Sequence, residues 1–402
     1  MKIISAFFIY GEHLFKNSGV ILKNLFLSGL FLISFCLTVN AQGAKYDSLA
    51  TIGVKQIYDI KFVQAEKTFR ELIADYPDHP AGRFFLAMID WWKILLNPDD
   101  ESHDEIFFQK LEDVIYQCDQ ILDKNPDDVN ALFFKGGAIG FRGRLRSLRE
   151  SWLKAADDGR EALPIVERAS NLDPGNKDVL LGFGIYDYYA SVIPEEYPLL
   201  KPLMIFFPSG DKQKGLSELK STAENGKYAK YEARYFLMTI YYTYENNPFK
   251  AYEYAKSLND EFPDNPVFER WRGRIAARKG DYANASEIFK DVLAKADSGF
   301  PGYTVIPAKR EATYYVALQY RNTNDLDSSE EYFNKCIDYS KELDKDGESG
   351  FWINSVLYLG MINDQTGNRG KALDYYNELL DMKEYGSSHS LAEKYIKKAY
   401  GP

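Results

Sequence analysis

Cysteine and histidine are scarce in this chain of 402 residues, with three of one and four of the other. His79, His103 and His389 stand far apart, and no His-x-x-x-His pair or Cys/His cluster offers the ligand spacing of a metal site. There is no Gly-x-x-x-x-Gly-Lys phosphate loop and no Gly-x-Ser-x-Gly nucleophile turn. Ser151-Trp152-Leu153-Lys154 fits Ser-x-x-Lys, but four residues are too short a signal, and Trp152 reads as a packing residue inside a helix. The expectation is therefore a protein without cofactor or metal, and not an enzyme. Positive charge is also short: 49 Lys and Arg face 59 Asp and Glu, a net charge of −10. An acidic surface disfavours nucleic acid or an anionic membrane as a partner. No stretch alternates with period two for long enough to make a strand, which leaves an all-helical chain.

Long hydrophobic runs are confined to the start. Leu25 to Val39 is an apolar stretch behind Lys16 and Lys23, and it ends in Val39-Asn40-Ala41. A basic segment, an apolar segment and a small-residue site read as a secretory signal cleaved after Ala41, so that the mature chain starts at Gln42 and is periplasmic or associated with an outer membrane. The run is short for a bilayer span, which needs roughly 20 residues. Phe35 precedes Cys36, where a lipoprotein signal needs a small residue, so lipidation is not expected. The first 19 residues are a long preface to such a signal. Residues 1–41 carry Lys2, Lys16 and Lys23 against Glu12, so the mature chain is still more acidic. Its two cysteines, Cys118 and Cys336, fall at apolar positions and read as buried free thiols.

What the chain has in quantity is aromatic rings, 30 Tyr and 26 Phe. They recur in a pattern. Gly273 to Ala276 is followed by Gly280-Asp281-Tyr282, then Ala285, Phe289 and Val292. The spacing returns at Leu359-Gly360, Gly367, Ala372, Tyr376 and Leu379, and earlier at Met238, Tyr242, Ala251, Ala255, Leu258 and Pro263. A small residue, an aromatic four later and an apolar residue three after that mark two antiparallel helices packing small against large. This pattern resembles the tetratricopeptide repeat, whose period is about 34 residues. The resemblance implies an α-solenoid, a right-handed superhelix of helical hairpins with a long concave groove.

The small residue of each second helix forms a ladder: Ala65, Val114, Ala162, Gly215, Ala251, Ala285, Ser329 and Ala372. It predicts about eight hairpins, with residues 387–399 as a closing helix. Pro77, Pro126, Pro174 and Pro263 follow their ladder residues at a constant interval and end helices, because proline lacks the amide hydrogen. Residues 42–228 read as irregular repeats with insertions, including an extended first helix from Leu132 to Leu153. Residues 229–402 read as more regular repeats, with a joint near Glu224-Asn225-Gly226-Lys227. Within the first part, Gly182, Gly184, Ser191, Pro194, Gly210-Asp211 and Gly215-Leu216 resemble a segment of the eukaryotic inclusion-body-clearance protein family and its bacterial tetratricopeptide relatives. That second resemblance implies helices and no reaction.

In tetratricopeptide hairpins, positions 2, 5, 9, 12 and 13 of the first helix line the groove. With Ala285 at position 20, Arg270, Arg274 and Arg278 take positions 5, 9 and 13 and share one helix face. Neighbouring hairpins place Phe236, Ile240 and Tyr244, then Tyr314, Leu318 and Arg321, at equivalent sites. The expectation is a basic, aromatic-edged strip able to hold an acidic peptide or a C-terminal carboxylate through two-point guanidinium contacts. Some tetratricopeptide proteins capture C-terminal carboxylates in this way, with Lys and Asn where this chain has Arg. The bland alternative is that these arginines pair with the chain's own carboxylates. Arg142, Arg144, Arg146 and Arg149 form a second basic run, read as a solvated or internally paired face. The apolar insert Tyr197–Phe207 reads as packed on its own hairpin or, if exposed, as a contact for a partner or a membrane.

These readings converge on an exported, non-catalytic scaffold that binds a protein or peptide in its groove. The competing classes are an envelope hydrolase or glycan-handling enzyme built from insertion loops, and a nutrient-binding protein on similar helices. Converging titratable groups in a closed pocket favour the enzyme, and an open groove favours the scaffold.

Overall fold

The computed structural model describes residues 44–198, 201 and 207–401. The expected signal at 1–41 and most of the Tyr197–Phe207 insert lie outside the described residues. Seventeen helices and, among the described residues, no strand make an all-α fold. They are α1 (44–58), α2 (Phe62–Asp75), α3 (Ala81–Leu96), α4 (Asp104–Leu122), α5 (Val129–Leu148) and α6 (Trp152–Leu172). Then come α7 (Leu180–Glu196), α8 (Lys212–Asn225), α9 (Lys230–Thr243), α10 (Pro248–Glu261), α11 (Pro266–Arg278) and α12 (Tyr282–Asp297). The last are α13 (Ile306–Asn322), α14 (Leu326–Leu343), α15 (Gly350–Gln365), α16 (Arg369–Asp381) and α17 (Ser388–Lys397). Each odd helix pairs with the even one after it, giving eight hairpins closed by α17.

Local chemistry sets the turns. Six hairpins are closed by a residue with left-handed backbone: Ile60, Glu150, Asn246, Gly280, Asn324 and Gly367. Gly280 (φ 82°) adopts it without the Cβ penalty that other residues carry. An Asx residue follows in three of these turns and caps the second helix. Asn247, Asp281 and Asp325 accept from the amides of Lys250, Asn284 and Ser328. Small-against-large packing then joins the two helices, with Phe289 lying where a Cβ on Gly273 would reach within 2.7 Å of it, and Tyr376 on Gly360.

The expected first helix from Leu132 to Leu153 is interrupted. It ends at Leu148, Glu150 turns the chain with φ 55°, and Trp152 opens α6 with 59% of its surface exposed. Trp152 is therefore not a packing residue, because it points off the start of a helix instead of lying within one. The arginine run of α5 is internally paired. Arg142 reaches Glu112, Asp158 and Glu161, Arg146 reaches Asp158, and Arg149 reaches Asp104. Between α7 and α8 the backbones touch: a Cβ on Gly215 would stand 2.5 Å from the Tyr188 nitrogen, and one on Gly184 3.0 Å from the Gly215 oxygen. The joint before α9 is tied down by buried Asp178, which accepts from the amides of Tyr228 and Ala229 at 3.1 and 3.0 Å.

The concave side of the first five hairpins is filled by the chain itself. Tyr58 of α1 packs against Trp92, Tyr231, Phe262 and Phe268, and its hydroxyl donates to Glu232 at 3.1 Å. Asn265 Nδ2 donates to the Tyr58 carbonyl at 2.9 Å across 207 residues of sequence. Arg144 pairs with the same Glu232 while its guanidinium lies between the rings of Trp91 and Phe236, at 4.6 and 4.5 Å. One continuous apolar core runs from α1 into α11. Beyond it, smaller clusters hold the last hairpins together and leave the inner faces of α11, α13 and α15 open.

Candidate functional site

A cavity of about 360 Å³ lies where the inner helices diverge. Its wall is built from the last turns of α9, α11 and α13 and the middle of α15, with Tyr282 at the start of α12 closing one side. Of the residues expected from sequence, the structure brings Arg274, Arg278, Tyr314, Leu318 and Arg321 to this one cavity. Arg278 and Arg321 stand in the last turns of α11 and α13, where a cation also offsets the negative end of the helix dipole.

The arginines divide into two kinds. Arg270 and Arg274 are engaged by one carboxylate, Glu311 of α13, with Nε–Oε distances of 2.8 and 2.7 Å. Glu311 is 1% exposed, so the triad carries one net positive charge beside the cavity. Arg278 and Arg321 form no ion pair among the described residues. Arg278 donates to Asn246 Oδ1 at 3.1 Å and lies 4.7 Å from the Tyr242 ring, while Arg321 lies 4.9 Å from the Tyr358 ring and donates to the Tyr400 hydroxyl at 2.9 Å. Arg274 itself covers Trp271 at 4.4 Å. Each guanidinium thus rests on an aromatic face, which fixes its orientation while leaving donors at its edge.

Phe236 and Tyr244 are elsewhere. Phe236 is the seat of Arg144, and Tyr244 packs edge-on to Tyr188 and Tyr189. Tyr242, Tyr282, Tyr315 and Tyr358 line the cavity without having been expected. Tyr315 and Tyr358 both hold position 6 of their hairpins, next to an expected groove position, and the twist between successive hairpins turns that position inward. Among the described residues no cluster of His, Cys, Asp and Glu is suited to a metal. The histidines stay apart: His79 packs on Tyr46 and Phe134, His103 faces Asp90, and His389 bonds the Met382 carbonyl. Tyr197, at the edge of the insert, is 53% exposed, and among the described residues no helix is long and apolar enough to cross a membrane.

Residues 317–343, from the end of α13 through α14, match the sequence model of the tetratricopeptide repeat. No curated protein matches the chain. Solved structures of similar shape include PilW, a widely conserved type IV pilus biogenesis factor, at 17% identity and TM-score 0.40, covering 63% of this chain and 96% of that one. Another is the C-terminal part of a TPR repeat-containing protein of Cytophaga hutchinsonii, at 14% identity and TM-score 0.36, covering 76% and 98%. A third is a signal-transduction ATPase with a tetratricopeptide repeat sensor from Pyrococcus horikoshii, at 15% identity and TM-score 0.46, of which the match spans 48%. The repeat matched in α13–α14 is built like its neighbours on either side, in turn, cap and small-against-large contact, and on that footing the chain is a tetratricopeptide-repeat protein.

Proposed function

We propose that this protein is an exported, non-catalytic scaffold that holds an acidic or C-terminal peptide segment of a protein partner in the cavity between α11, α13 and α15. The tetratricopeptide fold suits protein–protein interaction in general. The observation that carries the finer reading is the pair Arg278 and Arg321, two guanidinium groups without carboxylate partners among the described residues, converging on one tyrosine-walled cavity. A carboxylate gives a guanidinium a charged two-point partner, and tyrosine hydroxyls can complete its remaining acceptor sites. Export rests on the signal read in residues 1–41, and mass spectrometry of the protein from cells should then find Gln42 at the N-terminus.

The binding test is fluorescence anisotropy with a labelled peptide of six glutamates, carrying either a free or an amidated C-terminus. Arg278→Ala and Arg321→Ala should each weaken capture by about 1.5–3 kcal/mol, the range of hydrogen bonds to charged groups. Added salt should weaken it further, through screening of partly exposed charges. Equal affinity of the wild type and both variants would place binding outside this cavity.

A further inference from the structure

The segment after α17 returns to the cavity. Arg321 Nη2 donates to the Tyr400 hydroxyl at 2.9 Å, and its guanidinium stands 5.6 Å from the Tyr400 ring and 4.9 Å from the Tyr358 ring. One of the cavity's two unpaired cations is thus held between two tyrosines, one of which belongs to a short extended tail. The tail is anchored independently of that contact. Tyr400 N donates to Asp364 Oδ2 at 2.7 Å, and Asp364, whose side chain is fully buried, also accepts from Tyr376 and twice from Arg369. Arg369 in turn donates to the carbonyls of Tyr395 and Ile396 at the end of α17. The backbone of residue 400 is therefore fixed to α15, α16 and α17, while its side chain meets Arg321 and the Tyr395 ring at 5.1 Å.

We propose that Tyr400 is a built-in gate on the anion site. Its hydroxyl takes a guanidinium donor that a ligand carboxylate needs, and its ring covers the Arg321 side of the cavity. The hydroxyl is a neutral acceptor, weaker than a carboxylate. An anionic ligand displaces it and a neutral one does not, so the gate rejects uncharged competitors as well as lowering affinity. The site then binds with an apparent affinity reduced by the fraction of molecules in which Tyr400 has swung away. This proposal rests on the peptide-capture reading of the same cavity, but its first test needs no peptide.

That test is the rate at which phenylglyoxal, an arginine-specific reagent, modifies Arg321 in the full chain, followed by peptide mapping. Tyr400→Phe removes the hydroxyl and keeps the ring, and Tyr400→Ala removes both. Arg321 should react faster in both variants, by roughly tenfold for the hydroxyl alone, as expected for one charged hydrogen bond. Arg278, which Tyr400 does not touch, serves as the control and should react at the wild-type rate. Unchanged Arg321 rates, or a parallel rise at Arg278 that reports general loosening, would overturn the gate. The labelled hexaglutamate peptide with a free C-terminus should bind Tyr400→Ala more tightly than wild type by a similar factor. Equal binding to the two proteins would also overturn the gate. A peptide that binds neither protein, together with faster Arg321 modification, would sink peptide capture and leave the gate standing.

Discussion

Arg274 of α11 and Glu311 of α13 meet at 2.7 Å through Nε and Oε1, and Arg270 takes the second oxygen of the same carboxylate. Burial pushes the Glu311 carboxyl up, but the two arginines outweigh it and hold it below the ordinary carboxylate value. One buried anion therefore clamps two adjacent hairpins at the edge of the cavity.

The clamp predicts different outcomes for neighbouring arginines. Arg274→Ala leaves Glu311 with one partner and should destabilise the fold by about 1–3 kcal/mol, the usual cost of disturbing a buried charged bond. Arg278→Ala touches only Asn246 and the Tyr242 face and should stay within about 0.5 kcal/mol of wild type. Denaturant unfolding of both variants checks the contrast, and equal losses would mean that the Glu311 clamp adds no stability.

Glu269 predicts a pH dependence of opposite sign to that of Glu311. Burial pushes its carboxyl up to about 7 from 4.5, despite Lys295 at 2.8 Å and the Tyr303 hydroxyl at 2.5 Å. The folded state then holds a proton that the unfolded state releases, so this stabilising contribution is complete below pH 4.5 and disappears as pH rises to about 7. Glu311, whose folded value is lowered, contributes above its unfolded value and loses that contribution as pH falls. Melting temperatures of Glu269→Gln and wild type, compared from pH 4.5 to 7.5, should diverge at the top of that range, with the variant less sensitive to pH.

The hairpin turns predict paired glycine effects. Gly280→Ala forces a Cβ into left-handed backbone at φ 82° and should cost about 1–2 kcal/mol. Glu150→Gly relieves the same strain at φ 55° on an exposed residue, and should raise stability by up to about 1 kcal/mol. Thermal unfolding in which both changes destabilise equally would show that backbone strain at these turns is negligible.

The two cysteines should be silent in the native protein. Cys118 and Cys336 are completely buried, and burial pushes their thiols up to about 12 and about 11. The thiolate is the reactive form, so a thiol-titrating reagent at neutral pH should count no cysteine before denaturant is added and both afterwards. Prompt labelling of the folded protein would contradict that burial.

Much of the architecture was already legible in the order of residues. The spacing of Gly273, Gly280, Ala285 and Phe289 is a local rule, a small residue facing a ring across one turn, and it places helices without knowledge of distant chain. The same register put Arg274, Arg278, Tyr314 and Arg321 on inner helix faces, because a helix face follows from spacing alone. Only the tertiary structure could decide what those faces meet. Whether Phe236 lines a groove or seats Arg144 depends on how far each hairpin rotates against the last, a small angle accumulated over many interfaces. That rotation brings Tyr58 onto Glu232 and Asn265, fills the first turn of the superhelix, and leaves the cavity only where the inner helices separate. The same accumulation carries Tyr400 back to Arg321 across 79 residues of sequence, a contact that no periodicity encodes.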